Sequence, residues 1–269
     1  INGNIISTDK TTTLGGDDKA GISAIMEAVE DIIESGVPHR DIYLVFTCSE
    51  EISMMGTKHM DMSMLPCKEL VVVDATGGAE TLAYKAPAME AIEITFKGKK
   101  AHAGIEPEKG INAIVVASKA ISKMHIGHIE GGSATNIVTD EVTFTAEIRS
   151  HSMEKLAAEV AHMEQCCKEA VEEMGACYEM KHEMAYPVLS LEEDCELIQD
   201  TVNAMAEERI TANKMIIGGG SDANVLAGHG YKSVILGCGM INVHTVEEAL
   251  DTDETWKVTK VLRRLMGAE

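Results

Sequence analysis

The sequence predicts an α/β domain on a mostly parallel sheet, interrupted by an inserted α+β unit with an antiparallel sheet. Three observations carry this. Up to residue 86 the apolar residues fall in helical stripes and continuous runs. After Pro87 they alternate with polar residues, and after Tyr186-Pro187 the first texture returns. Continuous runs fit strands covered on both faces, whereas alternation fits strands with one wet face. The expected organisation is a discontinuous domain, 1–86 with 187–269, around an insertion at 87–186.

The elements follow in order. From Asp18, the residues Ile22, Ile25, Met26, Val29, Ile32 and Ile33 recur at helical spacing until Gly36 and Pro38 close the helix. Residues 42–47 read as a buried strand, 56–62 as a short polar helix, and Leu70 to Val73 as a second strand. In the insertion, Ile92, Ile94 and Phe96 alternate with Glu93, Thr95 and Lys97, and Val142, Phe144, Ala146 and Ile148 do the same with their polar neighbours. Helices are expected at 111–124 and along the stripe Leu156, Val160, Met163, Cys167, Val171, Met174, which Gly175 ends. Strands near 215–217 and 234–236 and a last helix to Met266 complete the chain.

Composition narrows the function. The chain has 269 residues, 45% of them apolar and 25% charged, which suits a folded globular protein. Lys and Arg total 23 against 44 Asp and Glu, and the balance of −21 repels nucleic acid and anionic membranes. Seven cysteines, an odd number with Cys166 and Cys167 adjacent, fit buried reduced thiols and a cytosolic protein. No apolar run approaches the roughly 18 residues of a membrane span, and the start has no signal-peptide pattern. Ile1 opens directly into polar sequence, as an internal start does.

Three acidic clusters sit at the edges of apolar or helix-starting segments: Leu14-Gly15-Gly16-Asp17-Asp18-Lys19, Val45-Phe46-Thr47-Cys48-Ser49-Glu50-Glu51 and Leu70-Val71-Val72-Val73-Asp74. With His244 they have the residue types of a two-metal hydrolase: a carboxylate to bridge the ions, further ligands, and a free carboxylate as general base. A carboxylate at a buried edge is costly without a cation. Each has a plainer reading as well. Asp17 suits a helix N-cap, Glu50-Glu51 an exposed loop, Asp74 a turn before Thr76-Gly77-Gly78, and His244 a loop imidazole. Four candidate ligands at the edges of one sheet favour the metal site.

Gly218-Gly219-Gly220-Ser221-Asp222 joins a strand to a helix, as an anion-binding loop or a tight turn does. Arg149 reads as a surface charge or as a guanidinium for a substrate carboxylate.

These residues fall into ordered motifs: Leu14-Gly-Gly-Asp-Asp-Lys-Ala-Gly21, Phe46-Thr-Cys-Ser-Glu-Glu51, Ala101-His-Ala-Gly-Ile-Glu-Pro-Glu-Lys-Gly-Ile-Asn-Ala113, Ala134-Thr-Asn-Ile-Val138 and Gly218-Gly-Gly-Ser-Asp-Ala-Asn224. In them the chain resembles, over essentially its whole length, the peptidase T-like (tripeptide aminopeptidase-like) branch of the dinuclear zinc peptidases, which include carboxypeptidase G, aminoacylase and carnosinase. The resemblance implies a zinc-binding α/β domain interrupted by a lid or dimerisation domain. It implies two divalent ions, zinc with cobalt or manganese as alternatives. Asp17 would bridge them, Glu51 and His244 would hold one, and Asp74 the other, with the Asp17–Asp18 peptide bond cis. Glu50 would be the general base, and His102, Asn136 and Arg149 would grip the substrate's carbonyl oxygen or terminal carboxylate. Gly220 and Ser221 would belong to a substrate-contacting loop.

Two departures qualify this. The family's His-x-Asp motif, which completes the Asp74 site, would lie upstream of Ile1, so the resemblance implies an N-terminally truncated chain with one metal site impaired. The stretch 124–132 is shorter than the family's, which bears on a lid strand and on dimer geometry.

The expected function is a cytosolic metallopeptidase, an aminopeptidase that hydrolyses short peptides with a metal-bound hydroxide and Glu50 as base. Its partners would be a short peptide substrate and a second copy through the lid, with no nucleic acid or membrane. A nearer alternative is an amidohydrolase acting on N-acyl amino acids or dipeptides. An alternative of another class is a non-catalytic peptide-binding or dimerisation module.

Overall fold

The computed structural model describes residues 1–267. The chain divides into two compact units, Ile1–Ala86 with everything from Leu189 onward, and Pro87–Val188. The first unit begins with β1 (Ile5–Ser7), α1 (Gly16–Ser35), α2 (Met55–Lys58), β2 (Glu69–Thr76) and β3 (Thr81–Ala86). The second holds β4 (Ala88–Lys97), α3 (Ala113–Ile121), β5 (His128–Gly131), β6 (Glu141–Ser150), α4 (Met153–Met174) and β7 (Cys177–Tyr186). The first unit then resumes with β8 (Leu189–Ser190), α5 (Glu196–Glu207), β9 (Asn213–Ile216), α6 (Asp222–Gly228), β10 (Lys232–Ile241), β11 (Ala249–Asp251) and α7 (Thr252–Leu265).

The sheet of the first unit runs β1-β11-β10-β3-β8, with β2 also on β10 and β9 also on β3. The α/β class is as expected, but pairing is more mixed than a mostly parallel sheet. It is parallel at β2–β10 and β3–β9 and antiparallel at the other junctions. Connection length explains one of these, because the loop from β10 to β11 is too short for the crossover that parallel neighbours need.

Helix α1 forms where its periodicity predicts and ends at Gly36, whose left-handed backbone donates to the Ile32 carbonyl. Its inner face takes only part of the isoleucine stripe, Ile32 and a half-buried Ile25. Ala20, Ala24, Ala28 and Ile32 are buried, whereas Ile22, Met26 and Ile33 are 46%, 49% and 73% exposed. Close approach to β2 is the reason, since a Cβ on Gly21 would lie 2.2 Å from the Val73 carbonyl oxygen. Gly21→Ala should therefore destabilise the protein by roughly 1–3 kcal/mol in urea unfolding. An unchanged midpoint would contradict this packing.

Residues 42–47 do not form the expected buried strand. Residues 37–47 carry no regular secondary structure, and Tyr43, Leu44 and Phe46 are 40–49% exposed. An apolar run becomes a strand only beside a neighbour that satisfies its backbone groups. Among the described residues β2 pairs only with β10, and the 42–47 run with nothing. Both line one cavity of about 450 Å³.

The second unit matches its alternating pattern. Its sheet runs β5-β6-β4-β7, all antiparallel, with Ile92, Ile94, Phe96, Val142 and Phe144 buried against α3 and α4. Asn112 and Ser152 cap those helices through their side chains. The short stretch 124–132 still supplies a strand, β5, whose four residues are all exposed. All seven cysteines are free, and among the described residues no helix is long and apolar enough to cross a membrane.

Candidate metal centre

The centre lies in the first unit, where four backbone segments converge. Asp17 enters at the start of α1, with non-helical backbone at Asp17 and Asp18 and a cis peptide bond between them. Gly15, at φ 71°, takes the N-cap position, so Asp17 is not the cap. Glu50 and Glu51 sit in a loop closed by hydrogen bonds from Met54 N–H to the Glu50 carbonyl (2.7 Å) and from Gly56 N–H to the Cys48 carbonyl (3.0 Å). Asp74 lies on β2, and His244 lies in the loop between β10 and β11. Ser49, Asn242 and His244 have positive φ (59°, 52° and 64°), a conformation that non-glycine residues adopt at a cost and that clusters at functional sites.

His244 Nε2 stands 3.0 Å from Asp17 Oδ2 and 2.9 Å from Glu51 Oε1. Among the described residues these three form the group of His, Cys, Asp or Glu that could hold an ion, each with a ligand atom within 4.8 Å of the others. Asp74 belongs to no such group, although it lines the cavity with Asp17, Asp18, Glu50, Glu51 and Asp222.

The electrostatics fit a cation. Burial, then the charges of Asp18, Glu50, Asp17 and Asp222, push the Asp74 carboxyl up to about 9. Burial and the Glu51, Asp222 and Asp17 charges push Glu50 up to about 7, against the pull of His244. Burial and the Asp17 charge take Asp18 to about 7, although the Gly21 N–H opposes this. Asp17 is raised by burial and by Glu51. His244 is opposed by burial, but the Glu51 and Asp17 charges outweigh it and raise the imidazole. Carboxyls that hold their protons because they are buried, and because they also crowd one another, are a donor set suited to a divalent ion.

The other sequence-predicted residues are placed as follows. Ser221 is buried and its hydroxyl caps α6, accepting from Ala223 N–H (3.2 Å), while Asn224 completes a capping box. Gly220 precedes it in the loop from β9. His102, Asn136 and Arg149 lie in the second unit. His102 is exposed and accepts from Gly104 N–H at 3.1 Å, and its segment pairs with that of Asn136 through Ala103 N–H to the Asn136 carbonyl (2.9 Å). Arg149, on β6, forms an ion pair with Glu147 at 2.9 Å.

Sequence reasoning missed three participants. Asp18 looks like the spare half of an acidic doublet, yet it accepts from Gly21 N–H (2.9 Å) and from the Cys238 thiol (3.8 Å). Asp222 accepts from the Thr47 hydroxyl. Glu248 is 2% exposed and accepts from Gly15 N–H (2.8 Å) and Asp17 N–H (3.0 Å). Burial would raise its carboxyl, but the N–H groups of residues 14–17 outweigh that and hold it low. No local signal marks it, since Glu247-Glu248 has the composition of a solvated acidic pair.

Comparison with known proteins gives the family of the chain. A peptidase dimerisation domain model matches residues 89–175, and an M42 glutamyl aminopeptidase model matches residues 4–124. The uncharacterized protein YqjE of Bacillus subtilis is 38% identical, over 96% of this chain and 72% of that protein. The crystal structure of aminopeptidase PepT from Bacillus cereus superposes with a TM-score of 0.90 at 34% identity, covering 99% of this chain and 74% of that one. A tripeptidase from Staphylococcus aureus gives 0.93 at 33% over the same shares. The chain belongs to the peptidase T-like branch of the M20 metallopeptidases, hydrolases of peptide bonds.

Proposed function

We propose that this protein is a zinc-dependent aminopeptidase that removes N-terminal residues from short peptides. The observation that carries the reading is the convergence of Asp17, Glu51 and His244, with Glu50 adjacent and outside the trio. The solved relatives described as an aminopeptidase and a tripeptidase support the substrate class.

A divalent ion would be held by Asp17, Glu51 and His244, and would supply a Lewis acid for the scissile carbonyl. The chain's own residues do the rest. Glu50 takes the proton of the attacking water and delivers it to the leaving amine; a carboxyl raised toward 7 is matched to that task. A second ion would be held by Asp74 with Asp17, and more weakly, because Asp74 has no trio of its own among the described residues. His102 stabilises the carbonyl oxygen as charge develops, Asn136 and Arg149 hold the peptide, and the Gly220-Ser221 turn contacts it through its backbone. The unit with the metal centre is the catalytic domain, and the inserted unit the lid, which pairs with a second copy.

The test is a panel of dipeptides, tripeptides and N-acyl amino acids incubated with zinc-loaded protein. Release of N-terminal residues from tripeptides, abolished by a chelator, is expected. Hydrolysis of the N-acyl amino acids alone would replace the aminopeptidase by an amidohydrolase. Failure to bind any divalent ion would leave a binding or dimerisation module.

A further inference from the structure

We propose that Glu248 is the positioning residue of the metal centre, holding the Asp17 and His244 segments at ligand spacing; the inference rests on the trio of Asp17, Glu51 and His244 being a cation site. Asp17 and His244 lie 227 residues apart in the chain, and their loops belong to opposite ends of the first unit. On one side these loops hang from a shared ladder, since β1 precedes the Asp17 loop and pairs with β11, which follows the His244 loop. On the other side Glu248 closes the ring. It sits four residues after His244, and its two oxygens accept from Gly15 N–H at 2.8 Å and Asp17 N–H at 3.0 Å.

The burial of this carboxylate needs a reason. It is 2% exposed and, among the described residues, forms no ion pair. Its compensation is the set of backbone N–H groups of residues 14–17, at the opening of α1, where the helix dipole also favours an anion. The two glycines belong to this arrangement. Gly15 adopts φ 71°, and a Cβ on Gly16 would lie 3.1 Å from Glu248 Oε1. They let the backbone close on Glu248, and Asp17 is carried on that backbone. The His244 loop is tied into the same unit by hydrogen bonds from the Thr245 hydroxyl to the Asn242 carbonyl (2.8 Å) and from Glu248 N–H to the Thr245 carbonyl (3.2 Å). A buried carboxylate whose hydrogen bonds end on the backbone of one candidate ligand, in the loop of another, is placed to orient both. Partners of this kind typically change metal affinity by about 10–100-fold when removed.

The test uses cobalt(II) as probe on the whole chain, with binding followed by calorimetry and by the visible absorption of the bound ion. In Glu248→Gln an amide N–H₂ faces backbone donors. The cobalt dissociation constant should rise about 10–100-fold, with a changed spectrum even at saturation. Glu248→Asp, which keeps the charge on a shorter arm, should lose less, and Gly16→Ala should weaken binding as well. Binding of the Gln variant within twofold of wild type, with an unchanged spectrum, overturns the inference. If the Gln variant fails to fold by circular dichroism, the Asp variant decides: unchanged affinity overturns, and a severalfold loss supports. The reading beneath it fails separately, if wild-type protein binds no cobalt or if Glu51→Gln and His244→Ala leave its binding intact.

Discussion

Glu50→Gln should lower turnover of a tripeptide by about 10²–10⁴-fold while divalent-ion binding is retained or strengthened. Glutamine keeps the size and the hydrogen-bonding reach of the side chain but accepts no proton. The substitution also removes one of the charges that push Asp74 up to about 9, so the cavity carboxyls give up their protons more readily. That second effect makes the result diagnostic: a loss of turnover with intact metal content separates the base from the ligands, whereas Glu51→Gln should lose both. Turnover within tenfold of wild type would move the base elsewhere. Asp18, raised to about 7 in the same cavity, would be the next residue to test.

The metal-free protein should become less stable as pH rises, and a bound cation should reverse the trend. Unfolded aspartate and glutamate lose their protons near pH 4. In the folded chain Asp18 and Glu50 hold theirs to about 7 and Asp74 to about 9. Between these limits the folded state binds more protons than the unfolded one, so the free energy of unfolding falls with pH. The stability is fullest below about pH 4 with respect to these groups and is eroded up to about pH 9. Each kcal/mol lost, about a factor of five in the folding equilibrium, lowers the Tm by about 2–4 °C in a chain of this size, measurable by calorimetry at pH 5, 7 and 9 in chelator. Asp74→Asn should flatten the slope and raise the Tm at alkaline pH. Zinc should invert it, because ligation requires the deprotonated carboxylates and releases their protons. A metal-free Tm that is constant or rises over this range would contradict the crowding of carboxyls in the cavity.

Much of the centre was legible because its residues stand at element boundaries. Asp17 follows glycines and opens a helix, Glu50 and Glu51 follow an apolar run, and Asp74 ends three valines. A charge in such a place conflicts with its surroundings, and that conflict is visible in one dimension. Glu248 was not legible, since Glu247-Glu248 has the composition of any solvated acidic pair and only burial separates the two. Asp18 and Cys238 meet across 220 residues of chain, and no local pattern couples them.

The secondary structure divides in the same way. The stripe of α4 and the alternation of β4 and β6 were sufficient because each element has a single wet side, and period alone then assigns the faces. On α1 Ala20, Ala24 and Ala28 are buried while the more apolar Ile22 and Ile33 are exposed, because the close contact with β2 selects size before apolarity. The 42–47 run has strand composition and no strand, because a strand is a property of a pair. Local period and local charge were enough for the α/β class, the inserted antiparallel unit and the residue types that could hold a cation. Which carboxylates meet His244, which face of α1 is buried and which glutamate of the 247–248 pair is enclosed came from the folded chain, because those depend on distances between segments far apart in sequence.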